Sequence, residues 1–184
     1  RKSMIKKLLP LMISLVLLCG CADTGEESFN QFVQGVSEAE TVSFSAGVRA
    51  EYSDKTAEFT LRYAQTAESA EVEITEPETV AGIKAHVTGD ALSLEYDGAI
   101  LDIGSFGDTE LSPMSALPLL VRSISDAHVD ITWCEDDMIA ARLVPSDDML
   151  VTLWLSSELV PLNAEICYKE QTVIFIEISD WEVN

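Results

Sequence analysis

The sequence predicts a mainly β domain (α+β): a curled antiparallel sheet, or incomplete β-barrel, of about eleven strands with helices plugging its concave face. Apolar and polar residues alternate with period two through most of the chain, which is typical of strands with one buried and one wet face. Short connections with turn residues favour antiparallel neighbours. Two other segments have the apolar spacing of amphipathic helices. A meander this long twists and curls, so its apolar face must enclose the two helices and whatever space they leave free.

The N-terminal segment has the features of an export signal. Four cations precede an apolar run, Leu8 to Leu18, that is too short to span a membrane. The run ends at Leu18-Cys19-Gly20-Cys21, which resembles the bacterial lipobox. We therefore expect residues 1–20 to be a lipoprotein signal peptide, 21–27 an acidic tether and 28–184 a single domain. The protein would be extracytoplasmic and lipid-anchored at Cys21 to the outer face of the bacterial cell membrane, and the alternative is an ordinary signal peptide with two incidental cysteines.

The charge of the predicted mature chain limits its partners. Residues 21–184 retain seven Lys and Arg against all 32 Asp and Glu, a formal charge of −25. Like-charge repulsion opposes binding to nucleic acid and to anionic lipid head groups. The charge is compatible with a solvated surface or with a docking face for a basic partner, and the sequence leaves both open.

Two cysteines remain after Cys19 and Cys21 are set aside. Cys134 and Cys167 could form one disulfide outside the cytoplasm, but two cysteines make neither a disulfide scaffold nor a metal site. The sequence does not give their separation, so their pairing stays open.

The first half of the domain is predicted as one helix and a strand meander. A helix over about 28–39 places Phe29, Phe32, Val33 and Val36 on one side. Turns at Gly89-Asp90 and Asp97-Gly98 have hairpin chemistry, the latter of type I′. The alternating strands cover about 41–50, 57–63, 70–75, 83–87 and 92–96.

A second helix interrupts the meander. Ser112 is a predicted N-cap and Pro113 occupies the first helical position, where its missing N–H costs nothing. The apolar stripe continues to about Ser125, and Pro118 is expected to bend or restart the helix. Strands then resume at about 129–133, 139–144, 149–155, 162–168 and 172–178.

This order of elements over residues 28–181 resembles the Lol-type (LolA-like) lipoprotein carrier superfamily, and in particular its Gram-positive lipoproteins. The stretch 77–83, the hairpins at Gly89 and Gly98 and the opening Leu111-Ser112-Pro113 carry the likeness. The superfamily includes periplasmic carriers, their lipidated outer-membrane acceptor, mycobacterial lipid-binding lipoproteins and a clostridial spore-germination lipoprotein. The resemblance implies an incomplete barrel whose helices cover an apolar cavity. A tether at Cys21 differs from the soluble carrier and favours a stationary acceptor, lipid handler or docking module.

No catalytic, cofactor or metal motif is recognisable, and we do not expect an enzyme. The nucleophile elbow, the phosphate-binding glycine loop and the zinc-protease helix motif are missing. His86 and His128 are expected to be solvated surface residues. The acidic stretches 135–137 and 147–148 lack calcium-loop spacing and are expected to be hairpin turns.

Two functions remain open. The first is binding of an apolar ligand (an acyl chain, lipid or lipoprotein) in the concave face. The alternative is a protein-interaction module with a filled core that tethers or regulates a cell-envelope or spore-cortex enzyme. Small inward residues such as Ala46 and Ala50 favour room for a ligand. The predicted cavity residues are Phe44, Phe59, Leu61, Leu94, Leu117, Leu120, Ile124 and Trp133.

Overall fold

The computed structural model describes residues 25–52, 55–106 and 111–184, so the predicted signal segment, Cys21 and most of the predicted tether lie outside it. The predicted fold class is confirmed: the described residues form eleven antiparallel strands in one unclosed, curled sheet, with two helices. The helices are α1 (Glu26–Glu38) and α2 (Pro113–Asp126). The strands are β1 (Thr41–Tyr52), β2 (Lys55–Thr66), β3 (Ala70–Glu76), β4 (Lys84–Thr88), β5 (Ala91–Tyr96), β6 (Ala99–Ser105), β7 (His128–Glu135), β8 (Met138–Ser146), β9 (Met149–Leu155), β10 (Pro161–Tyr168) and β11 (Gln171–Val183).

The sheet consists of two meanders that meet in the middle. Its strand order is β6-β5-β4-β3-β2-β1-β11-β10-β9-β8-β7. Every neighbour along each meander is also a neighbour in sequence, and the exception is the central β1–β11 pair, in which Val48 lies opposite Ile176. The two edges are therefore β6 and β7, and α2 lies between them in the chain.

One face of the sheet, called the inner face, carries both helices and the hydrophobic core. Residues opposite each other on neighbouring strands share a face, so Ala46, Leu61 and Ile74 form one buried row across β1, β2 and β3. α2 packs against β1, β2, β3 and β8, while α1 packs against α2, β7 and β8. The other face, called the outer face, carries no helix among the described residues.

Both helices differ in detail from the prediction. α1 begins at Glu26 rather than near Ser28, because Gly25 at φ 72° turns the chain into the helix. α2 starts as predicted, with Ser112 and Ser115 forming a reciprocal capping box. It then runs unbroken through Pro118 to Asp126, so the expected restart does not occur.

Several hairpin turns have positive φ at both of their central residues, and the sequence predicts this geometry at one of them. Asp97 and Gly98 have φ of 50° and 77°, which confirms the predicted type I′ geometry. Lys169 and Glu170 adopt the same conformation, with φ of 49° and 66°, between β10 and β11. No glycine or asparagine marks that turn, so its type could not be read from the sequence.

The two cysteines of the domain are free. Cys134 lies on β7 and Cys167 on β10, with β8 and β9 between them. Three inter-strand spacings of about 4.8 Å separate their backbones by about 14 Å, beyond the roughly 7 Å that a disulfide spans. The fold therefore excludes a disulfide between Cys134 and Cys167, which the sequence left open.

No helix in the described parts of the chain has the length and apolar character needed to cross a membrane.

Gly25 provides a test of how the chain enters the domain. A Cβ at Gly25 would lie 2.8 Å from Ile139 Cγ2, and the φ of 72° at this position would strain any L residue placed there. Gly98 has φ 77° but nothing within 4 Å of its would-be Cβ. We expect Gly98→Ala to lower the free energy of unfolding by about 1–2 kcal/mol, and Gly25→Ala by about 1–3 kcal/mol more.

Urea unfolding followed by circular dichroism measures both variants. If Gly25→Ala and Gly98→Ala lower the free energy of unfolding equally, close packing of Gly25 against β8 is contradicted.

Candidate functional site

Five of the eight predicted cavity residues are buried in the protein core. Their side chains retain 0 to 2% of their exposure: Phe44, Leu61, Leu117, Leu120 and Ile124. Such values leave no water-sized void against these side chains. The small inward residues that suggested room for a ligand, Ala46 and Ala50, are only 1% exposed and belong to the same core.

The other three predicted residues lie apart from this group. Phe59 and Leu94 are partly buried at the margin of the core. Trp133 lies opposite Ala140, which lies opposite Trp154, and this row belongs to the outer face. The period-two pattern places Trp133 inward only if β7 pairs in register throughout, but the register shifts between Val129 and Ile131. A ligand-binding role for these eight residues stays a prediction.

The polar groups beneath the helices are already paired. The Tyr63 hydroxyl donates a hydrogen bond to Gln65 Oε1, and its ring centroid lies 4.9 Å from that of Phe44. Burial raises the pKa of the Tyr63 phenol, and the nearby Arg122 charge opposes this only in part. Among the described residues, no buried side-chain nitrogen or oxygen lacks a hydrogen-bond partner. The inner face thus presents no polar group that awaits a ligand.

A large open space lies on the outer face, and we call it the outer groove. It has a volume of about 1110 Å³ and crosses seven neighbouring strands, from β3 through β1 and β11 to β8. Pro77 and Ala81, in the β3–β4 connection, lie at one end and Met138 at the other.

Gly47 forms the floor of the outer groove. It lies opposite Thr60 on β2 and Glu177 on β11, and a Cβ there would meet only Glu177 Cβ, at 4.0 Å. A strand glycine weakens a sheet and often marks a place where another molecule approaches the backbone. Here its missing side chain keeps the groove open.

Aromatic and acidic side chains line the groove. The Arg49 guanidinium lies 4.1 Å from the centre of the Phe175 ring and forms an ion pair with Glu51. Arg49 is the one cation in the lining, whereas five lining residues are glutamates. The surface therefore attracts positive charge. The glutamates are Glu58, Glu76, Glu78, Glu165 and Glu177.

A smaller cleft of about 360 Å³ lies between α2 and the β8–β9 turn. Its lining combines large apolar side chains with two charged residues and three serines. The large apolar residues are Phe106, Leu111, Leu119 and Met149, and the charged ones are Arg122 and Asp126. None of the eight predicted cavity residues contributes to it.

His86 is not the solvated residue that the sequence suggested. It lies half-buried on β4, with Nε2 2.9 Å from Glu95 Oε2 and Nδ1 3.5 Å from Glu71 Oε2. Lys84 Nζ also lies 2.9 Å from Glu71 Oε1, and this hydrogen bond raises the pKa of Lys84. Within the described ranges, no three His, Cys, Asp or Glu side chains are arranged to hold a metal ion.

Solved structures show which architecture this is. A domain named for outer-membrane lipoprotein sorting, from Vibrio parahaemolyticus, aligns with a TM-score of 0.51 at 10% identity, over 85% of this chain and 91% of that one. The fold is of the Lol type. The fold that the sequence resemblance implies is thereby confirmed, while membership of the Gram-positive lipoprotein branch stays a prediction.

Two further solved structures are similar in fold to this chain. A conserved protein from Thermus thermophilus gives a TM-score of 0.51 at 10% identity, over 87% of this chain and 88% of that one. A DUF1329 family protein from Desulfovibrio piger gives a TM-score of 0.50 at 12% identity, over 89% of this chain and 94% of that one. No protein-family model and no curated protein matches the sequence. At these identities the likeness concerns the fold.

The outer groove escaped the sequence analysis for a definite reason. Arg49, Glu165 and Glu177 occupy the polar positions of their strands, which predict only a solvated face. The available signal was Gly47 in the middle of an otherwise regular strand. Its meaning depends on neighbours that come from distant parts of the chain.

The filled inner face can be tested with a core truncation. Leu120 is fully buried, so Leu120→Ala is expected to lower the free energy of unfolding by about 2–5 kcal/mol. Ile100 is 70% exposed, and Ile100→Ala is the matched control, with an expected change within about 0.5 kcal/mol. Chemical denaturation measures both, and unchanged stability of Leu120→Ala would show that Leu120 faces open space.

Proposed function

We propose that the chain is a lipid-anchored, extracytoplasmic interaction module that holds a basic segment of a cell-envelope protein in the outer groove. The observation that carries the proposal is the contrast between the two faces of the sheet. The inner face is filled by side chains, while the outer face carries a large groove lined with glutamates. This favours the interaction module over a ligand carried beneath the helices.

The dimensions of the groove suit a polypeptide. Six inter-strand spacings of about 4.8 Å give it a span of roughly 29 Å, the length of about nine extended residues. Small-molecule sites are enclosed and bury most of their ligand. The outer groove instead runs open across the sheet from β3 to β8.

The lining supplies two kinds of recognition. Phe175 and Trp154 offer apolar contacts of the kind that anchor protein interfaces. Glu165 lies opposite Phe175, and Glu177 lies opposite Asn163, so carboxylates flank the aromatic surface. Lysine and arginine side chains bury their apolar stems while keeping their charged ends near carboxylates. A segment with both kinds of residue matches this surface.

The anchor would hold the groove near the membrane. Gly25 is buried against Ile139, and Met138, the neighbour of Ile139, lines the groove. Four residue steps separate Cys21 from Gly25, a reach of at most about 14 Å. A lipid at Cys21 therefore keeps the β7–β8 turn, and one end of the groove, close to the bilayer surface.

An apolar ligand is the second candidate function. The cleft beside α2 supports it, because about 360 Å³ is within the range of small ligand sites and the lining is mainly apolar. The guest would be an acyl chain held by Phe106, Leu119 and Met149 rather than by the residues predicted from the sequence.

Photo-crosslinking tests the groove. Benzoylphenylalanine placed at position 154, in the full lipid-anchored chain in its own cells, is expected to form a covalent adduct with one envelope protein. Gly47→Ile should reduce the adduct at least about tenfold, because the new side chain fills the floor while extended backbone accepts isoleucine readily. Gel electrophoresis and mass spectrometry identify the adduct.

Ala64→Ile is the matched control, since Ala64 is exposed on β2 and lies outside the groove lining. It should leave the yield of the adduct unchanged, and about 1 M salt during irradiation should lower the yield by screening the glutamates. An adduct that survives Gly47→Ile, or one that contains only lipid, would refute the proposed partner.

Mass spectrometry tests the anchor. The protein extracted with detergent is expected to begin at Cys21 and to carry the mass of a diacylglycerol and an acyl chain. Cys21→Ala should lack this mass and leave the membrane fraction. Cleavage elsewhere, or an unmodified Cys21, would refute lipid anchoring.

Native spectra of the same sample address the second candidate. A non-covalent lipid that is lost in Leu119→Trp, which fills the cleft, would support an apolar guest there. An empty protein would exclude it.

A further inference from the structure

The edge strand β6 carries an unusual concentration of exposed apolar side chains. Ile100, Leu101 and Ile103 are 70%, 62% and 42% exposed, and Tyr96 on the adjoining β5 is 57% exposed. These four are half of the eight large apolar residues exposed in the described parts of the chain. The four residues belong to one hairpin, formed by β5 and β6, which lies outside both the outer groove and the cleft.

The hairpin is held in place from both ends. The Asp97-Gly98 turn joins β5 to β6 at one end. At the other, the Ser105 hydroxyl donates to the Asp90 carboxylate and Phe106 N donates to Asp90 O at 2.7 Å. β6 pairs with β5 on one side, and its strand order places no described strand on the other side. It is a preformed template with one open backbone edge.

β6 lacks two of the features by which proteins protect such edges, although it carries Asp102 and its pairing with β5 shifts register between Leu92 and Ser93. Natural edge strands usually carry lysine or proline, or are covered by other elements. β6 has neither residue, and six of its seven positions are exposed. The opposite edge, β7, contacts α1 and carries an ion pair between Asp130 and Arg142.

A second copy of the chain is a poor occupant for this edge. Full antiparallel pairing of the seven residues of β6 with another β6 places Asp102 opposite its own copy. A shift of one residue either way places it opposite Leu101 or Ile103. Like charges or a carboxylate against an apolar side chain are unfavourable cross-strand pairs. Each copy also brings a formal charge of −21.

The charges around β6 indicate which kind of segment can pair with this edge. Glu95, Asp97 and Asp102 lie on or beside β6. Lys84 on β4 lies opposite Glu95, whereas β5 and β6 themselves contain no lysine or arginine. A cationic residue opposite Asp102 forms a favourable pair, and the apolar residues on either side of it lie opposite Leu101 and Ile103.

We propose that β6 is a strand-addition site that extends the sheet with an extended segment of another protein, in which apolar residues alternate with lysine or arginine. Backbone hydrogen bonds would supply affinity, and the side chains would select the segment. This site is independent of the outer groove, so either proposal can fail alone.

Hydrogen exchange tests the proposal with a defined probe. The full chain in zwitterionic detergent is mixed with a nine-residue peptide that alternates valine and lysine. At a peptide concentration about ten times its dissociation constant, exchange of the β6 amides should slow by about tenfold. A peptide N-methylated at alternate residues and a valine–glutamate peptide should cause no slowing.

Leu101→Lys should abolish the protection, whereas Ile131→Lys, a matched change on the exposed face of β7, should preserve it. Circular dichroism checks that both variants fold. Three results would overturn the proposal: no slowing in β6, equal slowing in β7, or sedimentation showing a dimer that Leu101→Lys dissociates. The last would identify a second copy as the occupant.

Discussion

The pairing of β1 with β11 is the constraint on which the rest of the structure depends. It brings together strands from opposite ends of the domain, with Val48 opposite Ile176 and Ala46 opposite Ile178. Ordering so long a loop costs conformational entropy, which burial of this central row offsets. Trp181 reinforces the junction, since its ring centroid lies 5.1 Å from Phe44 and 6.0 Å from Phe32 on α1. Without this pair, the chain would be two separate meanders.

The central pair also determines what the two faces of the sheet can do. It makes the inner face continuous, so both helices can pack on it and fill it. The small residues Ala46 and Ala50 belong to the buried core of this face. The same pair places Gly47 beside Glu177 on the outer face. The outer groove therefore lies on the face that carries no helix, and its chemistry is acidic and aromatic.

The two proposed contact surfaces have a common physical basis. A chain with a net charge of −21 repels copies of itself and attracts cationic partners. In the groove, glutamates surround Phe175, and at the edge, Asp102 lies among Ile100, Leu101 and Ile103. In both places apolar area provides affinity while the carboxylates restrict which partner fits.

The sequence predicted the local structure well because local structure depends on near neighbours. The alternation at 41–50, the capping by Ser112 and the Asp97-Gly98 turn all proved correct, since each is specified within a few residues. The candidate site was harder to predict. Trp133 was placed on the inner face because the register shift in β7 leaves no mark in the sequence.

What the sequence determined by itself is the inventory: strands with one apolar face, two amphipathic helices and a strongly acidic surface. Only the tertiary structure decided which positions are empty and which are filled. Leu61 and Leu117 are far apart in the chain, and their burial follows from α2 packing across β1, β2 and β3. Gly47 is visible in the sequence as an unusual strand residue, but the groove that it opens exists only because β2 and β11 lie on either side of it. Enclosed volume depends on pairings between distant segments, and periodicity within one segment carries no information about them.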